Sequence, residues 1–140
     1  PGDPAPGVGL LRDITIRNVV AEGAGRHGCS ITGLPGHPVE NVTLEDIRIR
    51  FAGGGTAADA ARRVPEKESS YPKGDMFGTL PAYGFYVRHV RGLKMAAIQV
   101  SFAGDEARPA LVLEDVRGFV PSGIEAQVKP GVESRVTRGE

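Results

Sequence analysis

A strand-like phrase returns along this chain at nearly constant intervals. Leu11-Arg12-Asp13-Ile14-Thr15-Ile16-Arg17-Asn18-Val19-Val20 is echoed by Glu40-Asn41-Val42-Thr43-Leu44-Glu45-Asp46-Ile47-Arg48-Ile49. His89-Val90-Arg91-Gly92-Leu93 is echoed by Asp115-Val116-Arg117-Gly118-Phe119. The first interval runs from Ile14 to Val42 and the second from Val90 to Val116, and the two are close to equal in length. Short alternating strands separated by Gly, Asn, Asp and Pro, recurring at such a period, predict an all-β coiled solenoid. The 20 Gly and 11 Pro residues suit a chain rich in turns and not a helical bundle.

The repeat divides the chain into a flexible lead (1–9), a repetitive body (10–128) and a polar, loose tail (129–140). Four strand groups make up the body. In the first, Ile14, Ile16 and Val19 are placed to face inward, and Thr15 and Arg17 outward. Asn18 and its counterpart Asp46 fall where the chain must bend, and these residue types tolerate left-handed backbone angles. Val42, Leu44, Ile47 and Ile49 supply core in the second group, where Gly33–Pro38 has the composition of a turn. Phe85, Val87, Val90, Leu93, Ile98 and Val100 do so in the third, and Leu111, Leu113, Val116, Phe119 and Ile124 in the fourth. Residues 52–81 interrupt the repeat as an insertion. Thr56 to Arg63 is expected to form one or two helical turns, with Thr56 placed to cap and Ala57 to Ala61 favouring helix. A loop of this length is expected to be functional or disordered, and in solenoids insertions emerge on the binding face.

Charge narrows the partners. Seventeen basic residues balance seventeen acidic ones, so neither nucleic acid nor an anionic membrane is the expected partner. No apolar run is long enough to span a bilayer, and Pro1–Gly7 lacks the basic head and apolar stretch of a signal peptide. The single cysteine, Cys29, reads as a small buried residue. His27, His37 and His89 lack metal-ligand spacing, and Gly53-Gly54-Gly55 lacks the Lys-Ser/Thr of a phosphate loop. No metal or cofactor is expected.

Three stretches carry a family resemblance: Gly28-Cys29-Ser30-Ile31-Thr32-Gly33-Leu34-Pro35-Gly36-His37-Pro38-Val39-Glu40-Asn41-Val42, then Tyr71-Pro72 with Met76 through Val90, then Arg108-Pro109-Ala110 with Glu114-Asp115-Val116. Over roughly Leu10 to Gly123 the chain resembles the C-terminal part of glycoside hydrolase family 28, the polygalacturonase-type pectinases. The resemblance implies a short right-handed parallel β-helix of about four coils. It also implies a pectic polysaccharide or oligogalacturonate as ligand, and an extracellular or periplasmic location. It does not carry the catalytic apparatus, because the family's Asn-Thr-Asp, Asp-Asp and Arg-Ile-Lys motifs are absent. Arg26-His27-Gly28 matches the family's Gly-His-Gly only in part.

Nor does another carboxylate pair replace that apparatus. Inverting glycosidases need two carboxylates on one face. Glu45-Asp46 and Glu114-Asp115 are neighbours in extended chain and point apart. Asp46 aligns with Asn18, whereas Asp115 aligns with His89. No catalytic residue is assigned, and the chain alone is expected to be inactive. The ligand-binding candidates are Arg62, Arg63, Tyr71, Phe77, Tyr83, Arg88 and His89, since aromatic faces stack on sugars and Arg grips a uronate carboxylate at two points. Three functions follow: a non-catalytic pectic-carbohydrate-binding or structural β-helix, the C-terminal fragment of an active pectin-degrading hydrolase with its catalytic strands upstream, or a self-assembling structural domain. Bare β ends in so short a stack favour a homo-oligomer formed through them.

Overall fold

The computed structural model describes residues 12–24, 28–65 and 79–139. Among the described residues the chain is all-β apart from one helical turn. Six strands form one sheet: β1 (Arg12–Ala24), β2 (Cys29–Thr32), β3 (Val39–Phe51), β4 (Phe85–Phe102), β5 (Leu111–Ala126) and β6 (Arg135–Arg138). The order is β1-β3-β4-β5-β6, every strand pairing is parallel, and β2 pairs with β4 beside β3. The helix α1 covers Ala57–Ala60, with Thr56 as N-cap and Asp59 closing a capping box.

Both repeat intervals read from the sequence are strand registers. Ile14 pairs with Val42 across β1 and β3, and Val90 with Val116 across β4 and β5. Between them the interval widens, because Val42 pairs with Leu93. The insertion supplies the excess. Cys29 of β2 pairs with Phe85 and Val39 of β3 with Val90, so more chain separates β2 from β3 than separates their partners on β4. The extra length is taken up by the turn at Gly33–Pro38, where Leu34 and His37 exchange backbone hydrogen bonds of 3.2 and 2.8 Å.

These strands of 13 to 18 residues are long for β structure, and they bend at fixed places. Asp13, Asn41, Gly92 and Gly118 fall at one register position, and Asn18, Asp46, Ala97 and Gly123 at another. All eight have positive φ, and the spacing between the two bends is the same in every strand. Asn and Asp are the non-glycine residues best suited to that backbone, as expected for Asn18 and Asp46. Because the bends coincide, neighbouring strands change direction together and the ladder survives.

Alternation between bends stacks like on like. Ile14, Val42, Leu93 and Phe119 share one register column, and Val19, Ile47, Ile98 and Ile124 another. Val42, Leu93 and Ile98 are only 1% exposed, and Ile47 only 3%. Tyr83, packed edge-on between Phe51 and Phe102, closes one side of this core. The opposite face of β4 and β5 carries a smaller cluster of Tyr86 and Val112, covered by Val64 and Leu80 from the insertion, by Ala82 just after it and by Val136 of β6. The tail is therefore not loose: β6 pairs with Leu111–Glu114, and Arg138 donates to the carbonyls of Arg62 and Ala60 at 2.9 and 2.6 Å.

The insertion is held by a buried ion pair. Glu106 and Arg108 side chains are both 0% exposed, with Arg108 Nε 2.7 Å from Glu106 Oε2. Arg108 also donates to the carbonyls of Leu80 and Ala82 at 3.1 and 3.4 Å, and Glu106 accepts from the Gly55 amide at 3.2 Å. Only glycine fits at residue 55, because a Cβ there would lie 1.9 Å from Arg108 Nε. Three distant segments are tied at this one point.

Candidate functional site

Of the seven residues singled out from the sequence, Tyr71 and Phe77 lie outside the described residues. Tyr83 is a correction. It is fully buried, and its hydroxyl lies 3.1 and 2.7 Å from the carbonyls of Val100 and Gln127, so its ring presents no face to a sugar. The sequence made it a ligand candidate because an aromatic face can stack on a sugar. The pairing of Tyr83 N with Pro109 O instead draws it into the sheet and under Phe51.

Arg62, Arg88 and His89 have their polar atoms engaged within the protein. Arg62 Nη1 donates to Thr79 O at 2.9 Å. Arg88, 7% exposed, forks onto Glu114 Oε2 at 2.8 and 3.2 Å, while the Tyr86 hydroxyl donates to Glu114 Oε1 at 3.1 Å. His89 Nδ1 lies 2.6 Å from Asp115 Oδ2, and Arg91 donates to the same carboxylate at 3.1 and 3.3 Å. Burial works to push the Asp115 carboxyl up, but hydrogen bonds from His89 and Arg91, with their charge, outweigh it and hold the group below the usual aspartate range. Glu114 and Asp115 are therefore neutralised by cations, each in its own contact, and do not form an acid–base pair across a shared cleft. Arg63 lies on the insertion, beside the half-exposed end of α1. The alignment of Asp115 with His89, read from the sequence, is a direct side-chain contact.

A further surface feature lies elsewhere. A groove of about 460 Å³ crosses β1, β3, β4 and β5, with Val20 at one end; Glu22, Arg48, Arg50, Gln99, Ser101, Glu125 and Gln127 line it together with Ala21, Ile49, Val100 and Ala126. Its outward side chains form two rows. Val20, Arg48, Gln99 and Glu125 share one register position, and Arg50 stands beside Ser101 two residues further along. Arg48 Nε donates to Gln99 Oε1 at 2.8 Å, and Gln99 Nε2 to Glu125 Oε1 at 2.9 Å. Arg50 reaches Ser101 Oγ only at 3.5 Å. Successive members of each row are one strand spacing apart, ~4.8 Å. The row thus offers donors and acceptors at a repeat close to the length of one sugar unit in an extended polysaccharide. Sequence reading missed the groove because its members come from strands far apart in the chain. The outward polar positions of the repeat were the only signal available.

Among the described residues no group of three or more His, Cys, Asp or Glu side chains is placed to hold a metal ion. Cys29 packs against the core, where burial pushes its thiol up. No helix among the described residues is long and apolar enough to cross a membrane. Compared with protein-family models, curated proteins and solved structures, the chain matches none.

Proposed function

We propose that the parallel sheet winds on itself as a short right-handed β-helix, and that it is a non-catalytic module binding a pectic polysaccharide or oligogalacturonate along the groove of Arg48 and Arg50. The winding is supported by the near-equal intervals of the β1–β3 and β4–β5 registers, by the two columns of left-handed bends and by the apolar columns between them. Right-handed connection is the rule for parallel strands joined within one sheet. The observation that carries the binding reading is the groove itself. Two guanidinium groups on one strand sit beside a hydrogen-bonded row that runs from strand to strand. Guanidinium matches a uronate carboxylate in planarity and charge, and the amide, hydroxyl and carboxylate groups of Gln99, Ser101 and Glu125 suit sugar hydroxyls. The internal pairing of Glu114 and Asp115 supports a module without hydrolytic activity. A pectic ligand carries with it an extracellular or periplasmic location.

Native affinity electrophoresis tests the reading. The chain is expected to be retarded in gels containing polygalacturonate, less so with methylated pectin, and not with neutral arabinan. Replacing Arg48 and Arg50 together by Ala is expected to abolish retardation. Equal mobility in every gel would refute it.

A further inference from the structure

We propose that the groove selects a partly methyl-esterified oligogalacturonate, one free carboxylate between uncharged neighbours, and that Glu125 sets this charge pattern. The inference rests on the carbohydrate reading above and extends it from the class of ligand to the arrangement of charge along it. The groove has two walls and a floor. Arg48, Gln99 and Glu125 stand along one wall, and Arg50 and Ser101 along the other, two residues further on their strands. Between the rows lie Ala21, Ile49, Val100 and Ala126. Side chains alternate along a strand, and those of Ile49 and Val100 are buried in the core, so the floor is backbone.

Charge is spread unevenly along this channel. Both cations stand on β3, roughly 7 Å apart along the strand and one on each wall. Arg12, Arg17, Arg88, Arg91, Arg108 and Arg138 each pair with a carboxylate. Arg48 and Arg50 make no ion pair among the described residues, and their contacts there are to Gln99 and Ser101. Arg48 engages Gln99 through Nε, which leaves both Nη groups for a ligand. Two guanidinium groups facing each other across a backbone floor suit one carboxylate held between them. On β4 the groove offers only the neutral groups of Gln99 and Ser101. Then β5 brings Glu125, two strand spacings or about 10 Å from Arg48, and β1 brings Glu22 on the other side of β3. Acid, base, neutral and acid thus follow one another from strand to strand. The Gln99 amide is oriented at both ends, its oxygen accepting from Arg48 and its NH2 donating to Glu125 Oε1. That bond holds Glu125 in the channel with Oε2 turned to no partner among the described residues, ready to accept from a sugar hydroxyl. A uronate carboxylate at this level meets like charge, and a methyl-esterified unit does not.

Calorimetric titration at low ionic strength with three tetragalacturonates tests the proposal: the free acid, the full methyl ester, and a triester with one free carboxylate on an internal unit. Defined oligosaccharides are used because retardation by a polymer gel also counts how many carboxylates the gel offers. Wild type is expected to bind the triester at least about threefold more tightly than the free acid, with the full ester weakest. Glu125→Gln keeps an acceptor for Gln99 and removes the charge, at an exposed position. The preference for triester over free acid is expected to fall at least about twofold in this variant, with an unaltered melting curve. A wild type that binds the free acid as tightly as the triester would overturn the proposal and leave the carbohydrate reading standing. So would a preference that is the same in Glu125→Gln. Absence of binding to all three oligosaccharides would refute both.

Discussion

Replacing Glu106 by Gln keeps the shape of a fully buried side chain and removes its charge. The wild-type carboxylate accepts four N–H groups: Gly55 N at 3.2 Å and Arg108 Nη2 at 2.8 Å on Oε1, Arg108 N at 2.9 Å and Arg108 Nε at 2.7 Å on Oε2. Whichever way the new amide is turned, its NH2 faces two of these donors, and both lose their acceptor. A buried polar group left unsatisfied costs about 1–3 kcal/mol, so two cost about 2–6 kcal/mol. That range brackets the roughly 3–5 kcal/mol typical of breaking a buried ion pair by removing one partner. Set against a total stability of about 5–15 kcal/mol, the loss is large. With a urea m-value of about 2 kcal/mol/M, within the usual range for small proteins, the unfolding midpoint is expected to fall by roughly 1.5–2.5 M. Glu106→Leu combined with Arg108→Met is expected to cost less than the sum of the two single changes, by about 1–3 kcal/mol of coupling, because no lone charge stays buried. A midpoint shift under about 0.5 M for Glu106→Gln, or strict additivity in the cycle, would refute the claim that this pair holds the insertion on the sheet.

The same carboxylate sets an acid response. Burial works to raise Glu106, but its hydrogen bonds from Arg108 and Gly55 and the Arg108 charge outweigh that and hold it below the usual glutamate value of 4.5. A depressed folded-state value means stability that is complete above the unfolded value and lost as pH falls through the folded one. Urea midpoints are therefore expected to drop below pH 4.5 in wild type, with a weaker drop in Glu106→Gln. Gly92→Ala places a Cβ at φ +86°, 2.9 Å from Asn41 Oδ1, and is expected to cost about 1–2 kcal/mol by thermal or urea unfolding. Ala97, at φ 54°, is the only bend residue of its column that is neither Gly, Asn nor Asp, so Ala97→Asn is expected to stabilise by about 0.5–1 kcal/mol in the same assay. Tyr83→Phe is expected to lose about 1 kcal/mol of stability, leaving polygalacturonate retardation unchanged, since its hydroxyl serves the core. The Arg48→Ala, Arg50→Ala double variant is expected to show the reverse, at least tenfold weaker binding (about 1.4 kcal/mol) with an unaltered melting curve.

Much of the local architecture is legible in the chain itself. The intervals from Ile14 to Val42 and from Val90 to Val116 are registers because each depends on one uninterrupted copy of the repeat. Asn18 and Asp46 mark bends, Thr56 caps a helix, and alternation picks out Val42, Leu44, Ile47, Leu93 and Ile98, because such preferences act over a few residues. The tertiary structure decided what those rules do not reach. Packing decides which residue of β4 lies beside β3, and that register creates the Arg48–Gln99–Glu125 row. Gly55 became obligatory only when Glu106 and Arg108 were buried against it, and Tyr83 exchanged a surface role for the core when its backbone joined Pro109. Arg88 and His89 were recognised as polar side chains near the insertion. The carboxylates of Glu114 and Asp115, on the neighbouring strand, then bound them into the protein. Periodicity specifies how a strand is built and where it bends. Contacts between strands depend on register, and register is settled by the packing of the whole sheet.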